Sequence, residues 1–361
     1  MNVLEHCAYA YGIPSISADY KTEPADFEVS EELSFLPEGK GEHLYLYIEK
    51  SGLSTQEVQQ KLVRFFKRPS VDVSFSGMKD RQALTQQWFS VRLADTETKD
   101  IEALNSPQLR VVESHMNSRK LKRGSHRCNH FRLVLRNLSR HPDELEERLQ
   151  LIQEHGVPNY FGEQRFGWQG ANISTALKYF AGDLQVKNPY KRGLYLSAAR
   201  ASLFNQVLSK RVEQNNWQHY LDGELMQLNA SAACFVADPA DPLLQQRLEQ
   251  WDIHPTGPLW GMGDLQSSGQ CAELETAVAK ANPELKQGLE QAGLAMQRRA
   301  LRSPVMNLKT HKLNDHELEL SFTLNRGAYA TVLLRELFVL QQGRQGQFNS
   351  QDNETVEREY N

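Results

Sequence analysis

The chain has 361 residues, 40% of them hydrophobic and 24% charged, with a formal net charge of −4. That is the composition of a soluble globular protein long enough to divide into two domains, and no apolar run approaches the roughly 20 residues a membrane helix needs. The start, Met1-Asn2-Val3-Leu4-Glu5-His6-Cys7, lacks the basic and apolar regions of a signal peptide, and Cys7, Cys128, Cys234 and Cys271 form no Cys-x-x-Cys; this argues against zinc modules and disulfide frameworks and predicts a cytoplasmic protein.

Residues 15–50 read as strands and turns. Asp26 to Glu31 alternates, with Phe27 and Val29 on one face, and His43 to Ile48 alternates again after a turn at Gly39-Lys40-Gly41. Thr55 to Phe66 has helix spacing, with Thr55 as a possible cap and Pro69 beyond its end. Val71 to Phe75 and Gln87 to Leu93 are strands. The connection between them, Ser76-Gly77-Met78-Lys79-Asp80-Arg81, sets one carboxylate between two cations. Two readings stand. Lys79-Asp80-Arg81 is a charged surface turn with Gly77 as turn chemistry, or Asp80 is an ionised carboxylate held on a scaffold as a nucleophile.

From Ser114 to Pro142 there is no Asp or Glu, while Arg119, Lys120, Lys122, Arg123, Arg127, Arg132, Arg136 and Arg140 all fall there. A solvated face and a nucleic-acid-binding strip both fit. His115, His126 and His130 in so basic a stretch suit phosphate or solvent better than a metal. Asn129 precedes a strand in which Phe131, Leu133 and Leu135 alternate with Arg132, Val134 and Arg136. Asn129 reads as a turn residue or as an amide facing a base; Phe27 reads as core or as a stacking aromatic, and Phe131 reads as core.

A helix over 142–154 ends at Gly156 and Pro158, and the texture then changes. An aromatic, glycine-rich loop spans Asn159 to Gly167. Helices are predicted near 173–181 and 196–214, the second with Leu203, Phe204, Val207, Leu208 and Val212 on one stripe. Short strands follow near 224–229 and 232–237, then a helix from Asp241 to Trp251, a Pro/Gly-rich loop from His254 to Gly263, and helices near 271–281 and 283–299. Leu318 to Leu324 is a strand, Asn325-Arg326-Gly327 a turn, and Ala330 to Leu340 a helix entered beside Tyr329. Residues 341–361 are polar and are expected to be disordered. Strands at both ends and helices between them predict a domain inserted near 155–304. No phosphate-loop, dinucleotide, His-Glu-x-x-His or Gly-x-Ser-x-Gly motif is present.

Taken together, Gly77-x-Lys79-Asp80-x-x-Ala83-x-Thr85-x-Gln87, Asp26-Phe27-x-Val29-x-Glu31, Asn129-x-Phe131, the run from Val157 to Gly167, the Leu196 to Asn205 segment and Gly327-x-Tyr329-Ala330-Thr331 resemble the tRNA pseudouridine synthase D (TruD) family. The resemblance covers about residues 12–340. One departure is Tyr329, where the family often has Phe. The resemblance implies an α/β (α+β) protein: a pseudouridine synthase catalytic core with a mixed β-sheet, from residues 1–154 and 305–340, and an inserted family-specific α/β TRUD domain over 155–304. It implies isomerisation of uridine to pseudouridine at position 13 of certain tRNAs, with Asp80 as catalytic nucleophile on sugar or base, and no cofactor or metal. Phe27 and Tyr329 would stack on the base or its neighbours, Asn129 would hydrogen-bond it, and Phe131 would pack under it. Lys21 would bring positive charge to the carboxylate or a phosphate. The strip 119–140 would hold the tRNA substrate, and no membrane or obligate protein partner is implied. The alternatives are a non-catalytic RNA-binding or tRNA-folding protein on the same fold and, more distantly, a nucleoside or glycoside hydrolase.

Overall fold

The computed structural model describes residues 3–93 and 100–342. They divide into two compact units: 3–14, 148–304 and 328–337 form one, and the described parts of 15–147, 305–327 and 338–342 form the other. Residues 3–14 and 328–337 thus group with the middle of the chain. Among the described residues no helix is long and apolar enough to cross a membrane.

The second unit is strand-rich. Its strands are β1 (Ser17–Tyr20), β2 (Phe27–Leu33), β3 (His43–Lys50), β4 (Val73–Phe75), β5 (Leu84–Arg92), β6 (Leu109–Asn117) and β7 (His126–Leu135), followed by a late hairpin, Val305–Asn314 and Glu317–Asn325. The main sheet runs Val305–Asn314, Glu317–Asn325, β7, β2, β5, β3, β6, with β4 also on β5. All its pairs are antiparallel except β2 with β5, so the sheet is mixed. The late strand pairs along β7 from Cys128 to Leu135, which joins segments nearly 200 residues apart in sequence. The expected helix over 330–340 ends at Leu337, because Val339–Gln342 pairs in parallel with β1. That strand also takes the first two residues of the tail expected to be disordered; residues 343–361 lie outside the described residues.

Strand alternation sorts the sheet into two faces. The helix α1 (Thr55–Phe66) buries Val58, Leu62 and Phe66 against Leu46, Ile48, Phe89 and Val91. Its cap is Ser54, one residue earlier than expected. The Ser54 hydroxyl accepts the Glu57 N–H at 3.1 Å and the Glu57 carboxylate accepts the Ser54 N–H at 2.6 Å, a capping box. Thr55 is thereby free to point inward. On this face the strand rows switch from apolar to polar: Leu46 and Ile48 give way to Lys50 on β3, and Phe89 to Gln87 and Thr85 on β5, all buried. The β4–β5 connection that carries Asp80 crosses the sheet at this polar end.

The first unit is helix-rich. Its longest helix, Pro189–Glu213, buries the expected stripe of Leu203, Phe204, Val207, Leu208 and Val212. A four-stranded sheet runs Cys234–Val236, Leu225–Leu228, Ile253–Leu259, Gln297–Ala300. Two expectations fail here. The loop expected from His254 is instead a central strand, because Pro255 and Pro258 bring no N–H that needs a partner and the Pro255 carbonyl still accepts the Leu301 N–H at 2.8 Å. The helix expected over 283–299 stops at Gln291. Gly293, in the left-handed region at φ 71°, turns the chain into the last strand of this sheet.

Candidate active site

The Asp80 connection is fastened from four directions. Gln87 Nε2 donates to the Gly77 carbonyl at 2.9 Å. The Lys79 N–H donates to Thr55 Oγ1 at 2.9 Å, and that hydroxyl donates in turn to Gln87 Oε1 at 2.8 Å. Lys50 Nζ donates to the Asp80 carbonyl at 3.0 Å and to the Leu53 carbonyl at 2.7 Å. The Ser76 carbonyl accepts the Gly124 N–H at 2.8 Å. Space at Gly77 is tight: a Cβ there would lie 3.1 Å from His126 Cε1 and 3.3 Å from both Glu31 Oε2 and Lys79 Nζ, so those side chains would have to shift.

Of the three cations considered from sequence, Lys21 is the one paired with the Asp80 carboxylate, through Oδ2. The other oxygen, Oδ1, accepts the Gln82 N–H at 3.0 Å. Burial pushes the Asp80 carboxyl up, but the Lys21 charge and hydrogen bond, the Gln82 N–H and the Lys50 charge together outweigh it, and the net shift is downward. The carboxylate is therefore ionised at neutral pH, while a quarter of its side chain stays exposed. Lys50 shows the opposite balance. Its burial draws it down to about 8 despite the Asp80 charge. Arg81 points elsewhere, to the Gly52 carbonyl at 3.0 Å and toward Glu57 at 3.9 Å.

Lys21 sits just after β1 with a left-handed backbone, φ 56°, a conformation that costs a lysine on the order of 1 kcal/mol. Its ammonium lies 4.5 Å from the centre of the Phe27 ring, a cation–π contact. Asp80, Lys21 and Phe27 thus form one chain of contacts. Phe27 meets Phe131 edge to face at 6.3 Å, and Phe131 stacks on Phe322 at 5.0 Å. Both Phe27 and Phe131 are buried.

Lys79 turns the other way. Its ammonium is bonded to Glu31 Oε2 and to Asn129 Oδ1, both at 2.7 Å. An ammonium only donates, so it fixes which end of the Asn129 amide it meets; the Nδ2 donors face away from it. Glu31 Oε1 also accepts the Trp88 N–H at 3.3 Å. The structure therefore brings Asp80, Lys21, Phe27, Phe131 and Asn129 together on one face of one sheet. Tyr329 belongs to the helix-rich unit. There its hydroxyl accepts from Arg165 Nε at 3.1 Å and Nη2 at 3.0 Å, and its ring packs on Gly162 and Phe161.

Glu31, Lys50 and Gln87 carry no site role in the sequence pattern, and Thr55 carries only that of a helix cap. A signal existed for Glu31: the alternation of β2 puts it in the same inward row as Phe27 and Val29, and a buried acid needs a partner. His115, His126 and His130 do not converge. His115 faces Glu113 at 3.1 Å, His126 lies 2.8 Å from Ser76 Oγ, and His130 lies 2.9 Å from Glu32.

The basic stretch is less open in space than in sequence. Arg132 is held by Glu28 and Glu319 at 2.8 and 2.7 Å, and Arg136 by Asp26 and Glu317 at 2.8 and 2.7 Å. Arg127 and Arg140 lie 3.7 and 3.4 Å from Glu32 and Glu144. Arg123 covers the Phe75 ring at 3.8 Å, and Lys120 bonds the Val71 carbonyl. Arg119 and Lys122 are exposed and make no ion pair among the described residues.

A family model described as tRNA pseudouridine synthase D (TruD) matches residues 3–183 and 171–337. The chain is 44% identical over 328 residues to a tRNA pseudouridine synthase D of Methylococcus capsulatus, spanning 91% of this chain and 93% of that one. It is 42% identical over 337 residues to that of Ectopseudomonas mendocina, spanning 92% and 94%. A solved structure from Methanosarcina mazei, named for the same family, shares the fold with a TM-score of 0.70 at 21% identity, over 92% of this chain and 95% of that one. The chain belongs to the tRNA pseudouridine synthase D (TruD) family.

Proposed function

We propose that this chain isomerises uridine to pseudouridine at position 13 of tRNA, working in the cytoplasm, with Asp80 as nucleophile. The observation that carries the reading is the Asp80 carboxylate, kept ionised by Lys21 while still partly open, with the Phe27 ring against that lysine and the Asn129 amide against the adjacent Lys79. The alternative of a non-catalytic tRNA-binding protein finds no support in the relatives' names.

The uridine leaves its stack to reach Asp80. The carboxylate attacks the sugar or the base, and the bond it forms breaks again, with the electron pair returning to the carboxylate, as C5 joins the sugar or before product leaves. The bond from N1 to the sugar breaks, the uracil turns while held, and C5 bonds to the same sugar carbon. The C5 hydrogen leaves as a proton and N1 gains one, so the reaction balances as an isomerisation. Asn129 offers Nδ2 donors because Lys79 occupies Oδ1. Those donors fit a uracil carbonyl and would meet the amino group of cytosine donor to donor. Phe27 stacks on the base once its face is uncovered, with Phe131 packing beneath, and Tyr329 grips a neighbour. The strands come from 15–147 and 305–327, which supports a catalytic core interrupted by the helix-rich insertion.

The test is incubation with a tRNA carrying uridine at position 13, followed by pseudouridine mapping. Conversion at that position alone is expected. Release of free uracil, or no conversion of any uridine, would sink the reading.

tRNA binding gives a second expectation. Arg119→Glu and Lys122→Glu should each weaken binding and lower the slope of log affinity against log salt by about 1. Arg132→Gln should leave that slope unchanged, since its charge is already satisfied by Glu28 and Glu319. Equal effects of Arg132 and Lys122 substitutions in a filter-binding salt series would contradict this.

A further inference from the structure

The opposite face of the same strands carries a cluster that the isomerase reading does not use. Alternation puts Glu32 on β2, and Cys128 and His130 on β7, on the side away from Glu31 and Asn129. Glu32 pairs in register with Cys128, and His130 is two residues along the same strand. Glu32 Oε2 lies 3.5 Å from Cys128 Sγ and 2.9 Å from His130 Nε2, and the sulfur lies 3.9 Å from that nitrogen. These are the only three-residue His/Cys/Asp/Glu group with metal-holding spacing among the described residues.

From this geometry we propose a zinc site formed by Cys128 Sγ, His130 Nε2 and Glu32 Oε2, with water completing the tetrahedron. Ligands about 2.0–2.3 Å from a zinc ion lie roughly 3.3–3.6 Å from one another; the sulfur–oxygen edge matches, and the other two need shifts of about 0.3–0.4 Å. The donor set of one sulfur, one nitrogen and one oxygen suits a borderline-soft cation. Two further contacts prepare it. His130 Nδ1 lies 2.8 Å from Thr323 Oγ1, so its N–H has an acceptor there and Nε2 is left as the ligand. Arg127 lies on the far oxygen of Glu32, 3.7 Å from Oε1, which leaves Oε2 to the metal. Glu32 and His130 each have 43% of their side chains exposed, so the fourth position opens to solvent. Binding releases the Cys128 thiol proton, since the thiolate is the ligand. The ion would clamp β2 to β7, the strands that carry Phe27 and Asn129 on their other face.

The experiment uses the full chain after chelator treatment. Titration with Co²⁺ should give one equivalent and a near-ultraviolet thiolate-to-cobalt band, and Zn²⁺ should displace it. Cys128→Ser should abolish the band and weaken Zn²⁺ binding at least about tenfold, and Thr323→Val should weaken it by roughly tenfold to a hundredfold. Glu32→Gln, at a half-exposed position, should weaken it as well and guards against a folding defect in the cysteine variant. Zn²⁺ should raise the melting temperature of the wild type by a few degrees but not that of Cys128→Ser. Pseudouridine formation by Cys128→Ser should match the wild type in the presence of chelator. Absence of stoichiometric binding, or a band that survives in Cys128→Ser and so comes from Cys7, Cys234 or Cys271, would overturn the proposal.

Discussion

Asp80→Asn should fold, bind tRNA and form no detectable pseudouridine, a loss on the order of 10⁴-fold or more in single-turnover rate. The substitution keeps size and shape and removes the charge and one acceptor oxygen. In the wild type the two oxygens are shared between Lys21 and the Gln82 N–H. An amide has only one oxygen, so one of these donors loses its acceptor. The expected stability loss is about 1–3 kcal/mol, the range for leaving one polar group unsatisfied. The other fastenings of the connection, from Gln87, Thr55 and Lys50, reach backbone atoms and are unchanged. Circular dichroism and a tRNA-binding curve close to wild type, with pseudouridine absent from the mapped tRNA, are the expected combination. Measurable turnover in a preparation free of wild-type enzyme would remove Asp80 from the role of nucleophile.

Much of this arrangement could be read along the chain, and the limits have physical causes. Alternation located β2, β5 and β7 and placed Phe27, Phe131 and Asn129 on strands or at their edges, because a sheet with one polar and one apolar face writes a period of two into the sequence. It could not say that β7 lies beside β2 and pairs with Glu317–Asn325, because register between distant strands is set by packing. The basic stretch misled for the same reason. A run without acids describes one strand, while its neighbours in the sheet supply Glu28, Asp26, Glu317 and Glu319. Thr55 was read as a helix cap from its residue type. With Ser54 and Glu57 closing the capping box, its hydroxyl works instead on the Asp80 connection. The strand over Ile253–Leu259 was hidden by its prolines, which are usually read as breaks but here need no partner for an N–H.

Lys21→Met should slow the reaction and move its acid limb upward by roughly one to three pH units, the usual influence of an adjacent cation on a carboxylate. The sign follows from the opposing influences at Asp80. Burial raises its pKa, while Lys21, Gln82 and Lys50 lower it, and the balance in the wild type is below the ordinary carboxylate value. The nucleophile then stays ionised as pH falls, and the wild-type rate should hold until pH drops below the usual aspartate range. Methionine keeps the length and the contact with the Phe27 ring but carries no charge. With Lys21 gone, burial acts against weaker opposition, the folded-state pKa rises, and the ionised fraction falls at mildly acidic pH. A structural lysine would lower the rate equally at every pH. Lys21→Arg, which restores the charge, should return the limb toward its wild-type position even if the rate recovers only in part. Single-turnover rates across the acid range for the three proteins decide the matter, and an acid limb in Lys21→Met that coincides with the wild type would show that another group keeps Asp80 ionised. Lys50 is the next candidate in that event, since its ammonium already lies against the Asp80 carbonyl and its own pKa falls to about 8. Control by Lys50 would then appear as an upward move of the acid limb in Lys50→Met.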